Sequence, residues 1–120
     1  MAKKIVETYL NFFTSPVRDE LTLSTILSPD FPFKSPLGEF HSAEHFLKDL
    51  KRNVLGIKEI RIHHIIAEGT KAGALYDVIS HHHDIGTLRF SEWFETKDGR
   101  ITSIISTYDA SNVHSTISRI

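Results

Sequence analysis

The stretch after Gly56 constrains this chain most. There the texture turns β-branched and alternating, in four segments: IKEIRIHHIIAE, AGALYDVISHHH, GTLRFSEWFET and RITSIISTYD. Each has the length and residue mix of a strand. They are separated by Glu68-Gly69-Thr70-Lys71, His83-Asp84-Ile85-Gly86 and Lys97-Asp98-Gly99, the last an Asp-Gly hairpin signal. Strands joined by such short turns are antiparallel neighbours, so the second half of the chain is a meander. A sheet of this kind needs a cover for at least one face.

The cover comes from the first half. From Lys3 to Thr14 the apolar residues Ile5, Val6, Tyr9, Leu10, Phe12 and Phe13 recur at helical spacing. Ser15-Pro16 reads as a cap with proline at the first helical position, opening a second helix that carries Leu21, Leu23, Ile26 and Leu27. FPFKSPLGEF, with two prolines and a glycine, is extended or turning. Ser42 is a good N-cap for a third helix, whose buried stripe is Ala43, Phe46, Leu47 and Leu50. Helices gathered first and a meander after them define an α+β fold, with three N-terminal helices on one face of a mostly antiparallel sheet.

Both faces of the meander contain apolar residues. Leu75, Ile79, Leu88, Phe90 and Phe94 read as one set, with Ala74, Tyr76 and Val78 opposite. A sheet covered by helices on one side and greasy on the other is expected to form a homodimer through its outer face.

With 120 residues the chain is the size of one domain, read as 1–120, and it is long enough to bury a core. Its 14 basic and 15 acidic residues give a net charge of −1, which offers no field for nucleic acid or an anionic membrane. The absence of cysteine excludes disulfides and thiol catalysis. MAKKIVETYLNFF lacks the unbroken apolar run and cleavage site of a signal peptide, and no segment is long enough to span a bilayer, so a cytoplasmic location is expected.

Two histidine groups invite a metal reading. His41, Glu44 and His45 spell H-x-x-E-H, but a zinc site of that type needs both histidines on one helix. With Ser42 as the cap, His41 lies outside it. His81, His82 and His83 alternate across a strand end and cannot converge. His63 and His64 fall on opposite faces in mid-strand, one toward the interior or the dimer surface. No metal and no cofactor is expected.

The order helix, helix, proline-rich hairpin, helix, long meander resembles the nuclear transport factor 2-like superfamily, which includes SnoaL-like polyketide cyclases and ketosteroid isomerases. FKSPLGEF-HSAEHFL and SEWFETKDGRITSIISTYD carry the resemblance, which runs from Ile5 to Asp109. It implies a strongly curved sheet wrapped around the helices into a cone-shaped barrel with an internal cavity. Fold alone does not decide what such a cavity does.

The resemblance also nominates residues. Tyr9 matches the first-helix tyrosine that the isomerases use in an oxyanion hole. Glu92 resembles in position the acid they keep protonated. In the pattern Leu88, Phe90, Glu92, Phe94 the carboxyl interrupts an apolar face, where desolvation would raise its pKa. If the alternation runs the other way, Trp93 and Ser91 face inward instead.

Asp77, between Leu75 and Ile79, is the candidate base. A two-residue turn at Asp84-Ile85 would set it opposite Glu92 and a three-residue turn opposite Trp93, and two facing carboxyls would share a proton. Where the isomerases carry their catalytic aspartate this chain has Ser35, which cannot abstract a proton from carbon unaided. Ser35, Phe33, Phe90, Phe94, Trp93 and Asp109 are the expected ligand-binding residues. The expected function is a cofactor-independent enzyme acting by proton transfer on an apolar carbonyl compound. The alternative is a noncatalytic ligand-binding or dimerisation domain.

Overall fold

The computed structural model describes residues 2–13, 20–30, 32–36, 38–53, 56–82 and 84–109. Helix α1 (Ala2–Phe12) buries Ala2, Ile5, Val6, Tyr9 and Leu10, a stripe that Phe13 extends just past its end. These positions recur at three- and four-residue steps, so one face of the helix is continuously apolar. That face lies on the sheet, against β3 (Ile57–Glu68) and β4 (Lys71–Ser80).

Helix α2 (Glu20–Ile26) is followed directly by Leu27, which bridges to Ile101. The expected Ser15-Pro16 cap lies outside the described residues. Helix α3 (Ala43–Asn53) begins as read: the His45 amide donates to Ser42 Oγ at 3.3 Å, which makes Ser42 the N-cap.

The helices are not an unbroken N-terminal block. The hairpin of β1 (Phe33–Ser35) and β2 (Gly38–Phe40) enters between α2 and α3. The sheet order is β2-β1-β6-β5-β4-β3, completed by β5 (Thr87–Lys97) and β6 (Arg100–Thr107). Every pairing is antiparallel except β1 with β6. The fold is therefore α+β with a mixed six-stranded sheet. Among the described residues β2 and β3 are the edge strands, so the sheet is open rather than a closed barrel. Bulges between Ile62 and His64 in β3 and between Glu95 and Thr96 in β5 bend it.

Two of the three turns match the reading. Gly69 sits at φ 61° between Glu68 and Lys71, and Asp98 and Gly99 at φ 53° and 79° form a primed two-residue turn. The third does not. β4 stops at Ser80 and β5 starts at Thr87, so His81 and His82 are loop, and His83 lies outside the described residues. Local hydrogen bonds divert the chain early. The Ser80 hydroxyl donates to the Gly56 carbonyl at 3.2 Å, the His81 amide to the same carbonyl at 2.9 Å, and the Ser80 amide to Gly86 at 2.9 Å.

That longer loop resets the register. Asp77 pairs with Arg89, Tyr76 with Phe90 and Ala74 with Glu92. Directly opposed residues share a face. The inner face is therefore Ala72, Ala74, Tyr76 and Val78 with Leu88, Phe90, Glu92 and Phe94. Leu75 and Ile79, expected with Phe90 and Phe94, belong to the other side. No helix among the described residues is long and apolar enough to cross a membrane.

Candidate active site

Alternation along β5 buries Phe94 and leaves Trp93 53% exposed, and it carries Glu92 inward with only 2% of its surface exposed. An isolated carboxylate in such a place is costly, so the group needs a partner or a proton. It has a partner. The Tyr76 hydroxyl, from the adjacent strand, donates to Glu92 Oε1 at 2.6 Å. Tyr76 is itself buried and stacks on Phe90 at 5.3 Å between ring centroids, and Phe90 stacks on Tyr108 at 4.2 Å.

Opposite Glu92 on β6 is Ser106, also buried. Its hydroxyl is near enough to favour the charged carboxylate, yet Oγ has no hydrogen-bond partner of acceptable geometry among the described residues. β1 and β6 run parallel with Phe33 beside Ile104 and Lys34 beside Ile105, so Ser35 falls level with Ser106, one step past the last paired position.

Tyr9 approaches from α1. Its ring packs edge-on against Phe13 at 5.2 Å and Phe94 at 5.7 Å, and stacks with Phe46 at 6.4 Å. The electrostatics follow from burial. Desolvation pushes the Glu92 carboxyl up to about 7, with Tyr76 and Ser106 opposing the shift. Burial, and then the Glu92 charge, holds the Tyr9 hydroxyl well above its ordinary value, and the same two causes act on Tyr76. At neutral pH both phenols are proton donors and the carboxyl is poised between its two forms.

The structure brings together Tyr9, Glu92, Phe94 and Phe90, and it separates Asp77 from them. Asp77 is on the outer face, where Arg89 Nε donates to Oδ1 at 2.9 Å and His63 Nε2 lies 2.9 Å from Oδ2. Those hydrogen bonds, Arg89's first, lower its pKa to about 2. An ion-paired carboxylate turned away from the interior shares no proton with Glu92 and is a poor base. The reason is the register: the loop at 81–86 sets Asp77 against Arg89. His63 reaches it because the bulge in β3 leaves this residue without a cross-strand partner.

Trp93 is likewise on the outer face, lying across Gly73, where a Cβ would come within 2.8 Å of its ring. Asp109 is exposed beyond the end of β6. Phe33 is half-buried and packs on Phe46 at 4.7 Å, and the Ser35 hydroxyl donates to the Gly38 carbonyl at 3.3 Å across its own turn. His41 precedes α3 and is exposed, and among the described residues no three His, Cys, Asp or Glu side chains cluster as metal ligands would.

The residue that the sequence does not single out is Tyr76, which it places only in an apolar set with Ala74 and Val78. Its signal was present, a hydroxyl-bearing residue in the run Ala74, Tyr76, Val78, but linking it to Glu92 requires the register of the neighbouring strand.

The comparisons with known proteins agree with this architecture. The family model for the SnoaL-like domain matches residues 6–104. A protein from Kribbella flavida superposes with a TM-score of 0.83 at 17% identity, covering 97% of this chain and 93% of its own. An LEH-like epoxide hydrolase from M. tuberculosis gives 0.78 at 21% identity, covering 98% and 90%. A steroid delta-isomerase from Pseudomonas aeruginosa gives 0.76 at 16% identity, covering 98% and 89%. No curated protein matches the sequence. At these identities the likenesses concern fold, and together with the family match over most of its length they establish that the chain belongs to the SnoaL-like family, with the nuclear transport factor 2-like, ketosteroid isomerase-like architecture.

Proposed function

We propose that this chain is a cofactor-independent enzyme that moves a proton on a small, largely apolar carbonyl compound held between α1 and the inner face of the sheet, with Glu92 as the proton carrier. The observation that supports it is a fully buried carboxyl that titrates near neutrality while hydrogen-bonded to a tyrosine. As carboxylate, Glu92 takes a proton from the carbon next to the carbonyl. The electron pair moves into the carbonyl oxygen, where the Tyr9 hydroxyl supplies a hydrogen bond. Glu92 then returns the proton to the same or a neighbouring carbon. Tyr76 holds the carboxyl in place throughout. Asp77 has no part in this scheme.

Two measurements test it. Carboxyl-carbon NMR should show Glu92 titrating near 7, far above its exposed neighbours. In a panel of cyclic enones and ketones, deuterium exchange at the α-carbon should be catalysed and should fall by roughly 10²–10⁴-fold in Glu92→Gln. An ordinary carboxylate titration for Glu92 sinks the reading. The cytoplasm is the proposed compartment, compatible with a chain lacking cysteine.

The outer face we assign to a second copy of this chain. Ile66, Gly73, Trp93 and Ile105 lie side by side across four strands, and the three large side chains are 63%, 53% and 48% exposed in the order Ile66, Trp93, Ile105. On one side of this row runs a line of Glu68, Lys71 and Glu95, two carboxylates to one ammonium. On the other side run Arg61, Asp77 and Arg89, with Glu59 paired to Arg61 at 2.6 Å, two guanidiniums balanced by two carboxylates. A two-fold axis along the apolar row covers Ile66, Trp93 and Ile105 with their copies and places the net negative line of one copy over the Arg61 and Arg89 side of the other. Trp93→Glu should weaken the dimer at least about 30-fold by sedimentation, as loss of a central aromatic anchor does. A wild-type chain that sediments as a monomer removes the assignment.

A further inference from the structure

Ser106 is the one buried side-chain oxygen or nitrogen left without a hydrogen-bond partner among the described residues. We infer that Ser106, opposite Glu92, forms a subsite for a hydroxyl group on an otherwise apolar ligand, distinct from the carbonyl oxygen that Tyr9 receives, and that Ser106 sets the preference for that hydroxyl. The inference rests on the reading of the inner face as a ligand site and adds to it which functional group is recognised and by what.

Other sheet hydroxyls show what a satisfied position looks like. Thr96 Oγ1 donates to the Thr70 carbonyl at 2.9 Å, Thr107 Oγ1 to Ser91 at 3.1 Å, and Ser80 to Gly56 at 3.2 Å. Each reaches a backbone acceptor at a strand edge or end. Ser106 reaches none: it lies opposite Glu92, near enough to favour the charged carboxylate, but not in hydrogen-bond geometry with it. A buried hydroxyl with no partner costs on the order of 1–3 kcal/mol, a cost that alanine would avoid at the same position. Ser106 and Glu92 are two of the three buried polar side chains described, and they face each other; the third, Thr96, is already bonded.

The donor and acceptor inventory then selects the ligand group. A carboxylate accepts at two oxygens, and Tyr76 occupies only one site on Oε1. A serine hydroxyl both donates and accepts. An alcohol placed between them accepts from Ser106 and donates to ionised Glu92. A hydrocarbon satisfies neither group.

The test uses indane, 1-indanol and 1-indanone, which share one skeleton and differ only in the oxygen, against the full chain and Ser106→Ala. By calorimetry at pH 8 the wild-type chain should bind 1-indanol at least about tenfold tighter than indane, and Ser106→Ala should lose about tenfold on the alcohol while leaving indane unchanged. 1-Indanone, whose oxygen the Tyr9 hydroxyl receives, should bind Ser106→Ala as it binds the wild-type chain. Ligand-free Ser106→Ala should melt at or above the wild-type temperature, since it removes an unsatisfied hydroxyl.

An alcohol-to-hydrocarbon ratio that is the same in both proteins overturns the inference and leaves the apolar site standing. A Ser106→Ala chain that melts lower or fails to fold also overturns it, because the hydroxyl is then structural. Failure of all three probes to bind the wild-type chain sinks the site itself and the inference with it.

Discussion

Glu92→Gln should be more stable than the wild-type chain above pH 7 and nearly indistinguishable from it near pH 4. The carboxyl holds its proton up to about 7 when buried, against 4.5 for the free side chain. The folded state therefore binds the proton more tightly than the unfolded state does. Its contribution is fully present below pH 4.5 and is lost as the pH rises through 7. At ~1.4 kcal/mol per pH unit, that interval corresponds to a loss of about 3 kcal/mol.

Glutamine has the same shape, cannot ionise, and keeps an oxygen for the Tyr76 hydroxyl. It should flatten the profile rather than lower it. Urea denaturation at pH 4, 5, 6, 7 and 8 checks this: the two midpoints should coincide at the acid end and separate progressively above it. Parallel profiles over the whole range would mean that burial costs Glu92 nothing, and the argument for a poised carboxyl would fail. Because the same substitution removes the proposed proton carrier, greater stability would accompany lost turnover, the trade expected where an active site holds an unfavourable group in place.

Local physics wrote most of the architecture plainly. The stripe in α1 is visible because three- and four-residue steps of apolar residues have one explanation. Ser42 is visible because a cap needs only a hydroxyl one residue before the helix. Asp98-Gly99 is visible because the turn requires positive φ at both positions, which those residues tolerate. Helix start, turn and the order of the four meander strands come from interactions within a few residues, whereas the parallel pairing of β1 with β6 does not.

The site depended on something less local. Whether Asp77 or Tyr76 meets Glu92 is decided by how many residues the loop after β4 consumes. That number is fixed by hydrogen bonds from Ser80 and His81 to Gly56, a residue at the start of β3 some two dozen positions earlier. His81, His82 and His83 continue the strand pattern on paper, and nothing in their own sequence announces the break. A slip of one residue exchanges every side chain between faces, so a loop misjudged by a few residues replaces a tyrosine with an aspartate in the proposed chemistry. Glu92 was legible because a lone carboxyl in an apolar alternation stands out. Its partner was not, since both faces of β4 are apolar and either register buries plausible residues. The bulge that brings His63 to Asp77 is equally invisible, because it arises from pairing between strands and not from either strand alone.

Tyr76→Phe isolates the partner that sequence reading missed. Phenylalanine keeps the stack on Phe90, so the packing survives and only the hydroxyl is lost. Above pH 7 Glu92 is ionised, and the hydrogen bond from Tyr76 is charge-assisted, a class that contributes about 1.5–3 kcal/mol. Below pH 5 the carboxyl is neutral and the same deletion should cost about 1 kcal/mol. Removing a donor that favours the carboxylate should also push the Glu92 titration above its wild-type position near 7. In Glu92→Gln the deletion of the hydroxyl should cost the smaller amount at every pH, since no charge is left to assist. The four proteins form a double-mutant cycle whose coupling energy should grow as the pH is raised from 5 to 8. A coupling that stays flat with pH, or a Glu92 titration unmoved by Tyr76→Phe, would mean that the 2.6 Å contact does not hold the charge of the buried carboxylate, and Tyr76 would return to being one more core aromatic.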